Sequence, residues 1–103
     1  MSWYGIRCIF KWRDQYEERI TLWRASTFED AIRLAETEAI EYQANTDLEY
    51  LGLAQGYDLR ADAITNGTEV FSLVRRSSLE PDEYISRYFD TGSESQTRAL
   101  GPA

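Results

Sequence analysis

The 103-residue chain predicts an α+β domain of order β-β-α-β-β-α, with a mostly antiparallel four-stranded sheet and a long helix packed on one face. Three observations lead there. Residues 3–13 (Trp-Tyr-Gly-Ile-Arg-Cys-Ile-Phe-Lys-Trp-Arg) place Tyr4, Ile6, Cys8, Phe10 and Trp12 on one side of a strand and a mixed set on the other, the pattern of a strand covered on one side. A second apolar-alternating stretch follows after a very short gap, which implies a hairpin. Next comes a helix start and a three- and four-residue apolar repeat.

In the second strand, residues 16–25, Ile20 and Leu22 alternate with Arg19, Thr21 and Trp23. To put Ile20 and Leu22 on the same face as Cys8 and Ile6, the hairpin needs a three-residue loop, Arg13-Asp14-Gln15, pairing Trp12 with Tyr16, Cys8 with Ile20 and Ile6 with Leu22. That register sets Gly5 opposite Trp23 and turns Glu18 toward the apolar face beside Phe10.

Ser26 with Glu29, or Thr27 with Asp30, makes a capping box, and a helix runs from Phe28 to about Gln43. Phe28, Ala31, Ile32, Ala35, Ala39 and Tyr42 form its apolar face; the alanines allow close approach to the sheet. Residues 49–59 read as a third strand, with Leu51, Leu53, Tyr57 and Leu59 on one side and Tyr50, Gly52, Ala54, Gly56 and Asp58 on the other. Residues 60–64 suggest a helical turn, and Asn66-Gly67 marks the entry to a fourth strand over 68–76. Pro81, among acids, opens a short second helix with Tyr84, Ile85, Tyr88 and Phe89 as its stripe. The reading is one domain over residues 1–90, then a flexible tail over 91–103.

Trp3-Tyr4 leading a strand, Tyr16-Glu17-Glu18-x-Ile20-x-Leu22, the capped Phe28-Glu29-Asp30-Ala31 and Gly67-Thr68-Glu69-Val70-Phe71 together resemble a family of short uncharacterised bacterial domains. The resemblance covers roughly residues 3–76. It implies the order of elements and no activity.

The net charge of −7 divides into +2 over residues 1–24 and −9 over the rest, which argues against general nucleic-acid binding and against docking on anionic membranes. The single Cys8 cannot form an internal disulfide, and the N-terminus lacks the pattern of a signal peptide, so the expectation is a cytoplasmic protein. With no histidine, the usual triads, metal sites and general bases cannot be assembled, and no phosphate-binding glycine loop is present. No catalytic, cofactor-binding or metal-ligating residue is therefore assigned, and the expectation is not an enzyme.

The candidate interaction surface is the mixed sheet face: Trp3, Arg7, Ile9, Lys11, Arg19 and Trp23, with Tyr50 if the third strand joins them. Aromatics and arginine are the types enriched at interface hot spots. The reading is a non-catalytic module that self-associates, as a homo-oligomer, or binds a protein partner through that face. The alternative is a small-ligand binder or an unusual carboxylate enzyme, with its pocket between the sheet and the last helix, where Glu18 or Tyr57 meets arginine.

Overall fold

The computed structural model describes residues 1–94; the tail expected beyond them lies outside the described residues. The chain forms two compact units, Met1–Leu73 and Val74–Ala103. The first holds β1 (Ser2–Trp12), β2 (Gln15–Ala25), α1 (Phe28–Ala44) and β3 (Glu49–Asp58). Its sheet has three strands in the order β2-β1-β3, antiparallel at both seams. The second unit contains α2 (Pro81–Tyr88), with Pro81 in its first turn, where the missing N–H costs nothing.

The four-stranded sheet expected from the sequence is therefore corrected to three. Residues 68–76 form no strand, although residues 68–71 do lie over the sheet within the first unit. The Val70 carbonyl occupies the space where a Cβ on Gly5 would stand. The backbone thus presents itself to the face of β1 and not to an edge, so it cannot join the hydrogen-bond ladder. Residues 60–64 likewise make no helical turn. Nor is α1 long: its 17 residues span about 25 Å, against roughly 37 Å for the 11 residues of β1.

α1 begins as the capping residues require, with the Thr27 hydroxyl accepting from the Asp30 backbone N–H at 3.1 Å. It ends on Asn45, whose Nδ2 returns to the Glu41 carbonyl at 2.9 Å. Ala31, Ala35 and Ala39 are fully buried against Tyr4, Ile6, Cys8 and Phe10, with Phe10 and Ile6 wholly out of contact with water. β3 meets the helix with its small side: Ala54 lies opposite Cys8 and Gly56 opposite Ile6. The Phe28 ring fills the space beside Gly56 and stands edge-on to Tyr4 at 6.0 Å. Small residues on both partners let helix and sheet approach closely, which is what buries β1.

The hairpin register also differs from the expected one. The loop has two residues, Arg13 and Asp14, and Trp12 pairs with Gln15, Cys8 with Arg19, Ile6 with Thr21 and Tyr4 with Trp23. Arg13 takes a φ of 56°, the positive value a type II′ turn needs at its first central position. Every β2 side chain consequently lies on the face opposite to the one expected: Glu17, Arg19, Thr21 and Trp23 beneath the helix, Glu18, Ile20 and Leu22 on the far side. The physical reason is the width of the cover. A helix is about 10 Å across, and α1 lies over all three strands with its closest packing on β3, so β2 sits under its far margin. Beneath that margin, a tryptophan ring and the stems of Arg19 and Glu17 suffice, and their polar ends find partners on the helix. Arg19 forms an ion pair with Glu38 and stacks on Tyr42 at 3.9 Å, while Tyr42 donates to Glu17 at 2.8 Å.

Candidate functional site

The side of the sheet away from α1, here called the open face, gathers Trp3, Arg7, Ile9 and Lys11 from β1 as expected. It does not gather Arg19 or Trp23, which the register places beneath α1. Trp23 packs on the core and donates to the Thr21 hydroxyl at 2.6 Å. Tyr50 is also on the helix side, against Phe10 at 5.4 Å. In their place the face holds Ile20 and Leu22 from β2 and Leu51 and Leu53 from β3, which are 43%, 37%, 43% and 49% exposed.

Leu51 and Leu53 share the open face by alternation, and beside them β1 and β3 lose register between Cys8 and Phe10. Ala54 pairs with Cys8 and Tyr50 with Phe10, so three β3 residues stand against Ile9 alone. The middle one, Gly52, has a φ of 79°, which a side chain would strain. Across this bulge Tyr50 and Ala54 stay on the helix side, and Leu51 and Leu53 flank Ile9 on the other.

Arg7 is the polar centre of the face. Its guanidinium donates to Glu18 on β2 at 3.1 Å and to Gln55 on β3 at 2.6 Å, tying the two outer strands across β1. Phe71 covers it at 4.8 Å, and Tyr57 lies beside Phe71 while donating to Glu69 at 2.5 Å. That hydrogen bond to a carboxylate raises the Tyr57 hydroxyl above its ordinary pKa. Glu18, expected beside Phe10, is thus on the exposed side and paired with Arg7. Residues 68–71 cover Gly5 and Arg7 but leave Ile20, Leu22, Leu51 and Leu53 partly exposed.

Reactive groups cluster instead beneath the helix. Tyr50 donates to Glu36 at 2.7 Å beside the buried Cys8. Burial, and then the bond to Glu36, push the Tyr50 hydroxyl well above its usual range; burial pushes the Cys8 thiol up as well. Both groups are held protonated, Cys8 buried and Tyr50 half-buried, the opposite of an activated nucleophile. Tyr42 is raised likewise, chiefly by its bond to Glu17. Among the described residues no group of three or more His, Cys, Asp or Glu side chains is placed to hold a metal ion. None of their helices is long and apolar enough to cross a membrane.

An open depression of about 290 Å³ lies where β2 passes into α1, lined by Met1, Arg24, Ser26, Asp30, Arg33 and Leu34. The Asp30 carboxylate there is engaged by Arg33. It shares no residue with the pocket expected around Glu18 or Tyr57.

Sequence reasoning missed Ile20, Leu22, Leu51 and Leu53. One signal could have found the two leucines: in residues 49–59 the small side suits close helix packing, so the leucine side must face away. No family model, curated protein or solved structure matches the chain.

Proposed function

We propose that this protein is a non-catalytic interaction module that engages a protein partner through the open face of its sheet. The observation that carries the reading is two apolar pairs on one face of a small sheet, Ile20 with Leu22 on β2 and Leu51 with Leu53 on β3, each side chain 37–49% exposed. Apolar side chains gathered on one face, rimmed by polar groups, are characteristic of binding surfaces. Arg7, ion-paired with Glu18 and hydrogen-bonded to Gln55, gives that face a fixed polar centre.

A photo-reactive benzophenone side chain at Leu53, compared with one at Ile40 on α1, tests the reading in cells. Ile40 is as exposed, at 57%. A discrete protein adduct at position 53 and none at 40 supports the open face; equal labelling at both positions removes it.

A further inference from the structure

We propose that the outer edge of β2 pairs with the β2 edge of a second copy, antiparallel and centred on Thr21, joining two three-stranded sheets into one of six strands. This rests on the interaction reading and deepens it, naming a second copy as one partner and placing it at an edge beside the open face.

β2 is an edge strand, and its 11 residues pair with β1 without a bulge, so its outer side is a long regular row of backbone groups. The direction of those groups follows from β1. The Trp3 carbonyl accepts from the Leu59 N–H at 3.0 Å, so the odd residues of β1 bond toward β3 and the even ones toward β2. Even β1 residues pair with odd β2 residues. The even β2 residues, Glu18, Ile20, Leu22 and Arg24, therefore aim their N–H and C=O groups outward.

A second copy must then pair even with even, which keeps both open faces on the same side. Centring on Thr21 sets Glu18 opposite Arg24, Ile20 opposite Leu22 and Arg19 opposite Trp23, each pair made twice across a two-fold axis. The side chains choose this register. Centring on Glu18 or Arg19 places like charges face to face, and centring on Ile20 or Leu22 pairs no opposite charges. Charge also decides where a copy can approach: β2 carries two acids and two cations, whereas the whole chain is −7. The junction buries Ile20 and Leu22 of each copy against each other and leaves Leu51 and Leu53 of both on one continuous face.

The Thr21 pair about the axis is a non-hydrogen-bonded one, with Cα atoms about 4.5 Å apart, inside the span a disulfide bridges. In Thr21→Cys, mild oxidation should give a covalent dimer. Ile20→Cys should not, because its symmetry mate lies diagonally, roughly 8 Å away. Cys8, buried in the core, does not compete. In a sedimentation concentration series the wild type should rise toward twice its 12.0 kDa mass, and Arg24→Glu should weaken dimerisation about tenfold.

A wild type that stays at protomer mass overturns the proposal, as does crosslinking through Ile20→Cys in preference to Thr21→Cys. Should Thr21→Cys misfold, an unweakened Arg24→Glu dimer overturns it instead. Labelling from position 53 would still stand in each of these cases, so loss of the edge dimer and loss of the open-face reading are told apart.

Discussion

Against α1 the sheet presents Tyr4, Ile6, Cys8 and Phe10, none more than 6% exposed; on the other side of the same sheet Ile20, Leu22, Leu51 and Leu53 stand 37–49% exposed. Both faces carry large apolar side chains, so their presence alone does not explain why one is sealed. Side-chain size does. The sealed face matches Ala31, Ala35 and Ala39 on the helix with Ala54 and Gly56 on β3, and the resulting close approach lets Phe10 fill the centre. The open face has one comparable point, Gly5, where the Val70 backbone comes down onto the strand. Around it the large side chains of β2 and β3 hold any second layer off. The lesson is that small residues decide which face is closed, and large ones left over mark the face available to something else.

The contrast is broken most severely at Phe10. Phe10→Ala should cost about 3–5 kcal/mol in urea denaturation, because the ring is fully buried between Tyr42 and Tyr50. Leu51→Ala on the open face should cost under about 1 kcal/mol in the same assay, since the side chain is 43% exposed.

The two glycine contacts sharpen the comparison next. Gly5→Ala drives a methyl into the Val70 carbonyl and should cost about 1–3 kcal/mol, with faster proteolysis around residues 68–71. Gly56→Ala meets side chains and no backbone, the Phe28 ring, 40% exposed and able to turn, and the Cδ1 of buried Ile6, so its cost should be the smaller of the two. Equal costs would mean that residues 68–71 yield as easily as a side chain.

Smaller again is Tyr50→Phe, which leaves Glu36 without its donor and should lower stability by about 1–2 kcal/mol. The pH dependence has a definite sign. The folded state raises the Cys8 and Tyr50 pKa values above their unfolded ones, so it holds these protons longer. Their contribution is complete below about pH 8.5 for the thiol and pH 10 for the phenol, and is lost as pH rises beyond. Urea midpoints should therefore fall above pH 8.5, and the Tyr50→Phe variant should lose less of its midpoint between pH 10 and 11. Least of all, Leu53→Lys should change stability by within about 0.5 kcal/mol while abolishing the partner adduct formed from the open face. A large loss of stability there would mean that Leu53 is core after all.

Several features were determined by the sequence alone, because they depend on local chemistry. Alternation in residues 3–13 named the buried side of β1, and a capping box at Ser26 or Thr27 marked the start of α1. The Phe28, Ala31, Ala35 and Ala39 repeat named the helix's inner face, and Trp3, Arg7, Ile9 and Lys11 were correctly placed together. What only tertiary structure decided was register and cover. Alternation in β2 admits either face, since Ile20-x-Leu22 and Arg19-x-Thr21-x-Trp23 have the same period, and the width of α1 selected the amphipathic set for its margin. A two-residue loop with Arg13 at positive φ then shifted Arg19 and Trp23 off the candidate surface. Residues 68–71 carry strand-like alternation, but they met the face of the sheet at Gly5, and a backbone lying on a face has no ladder to join. The open surface thus emerged from long-range geometry, in which Leu51, Leu53, Ile20 and Leu22 converge from strands that the sequence separates by some thirty residues.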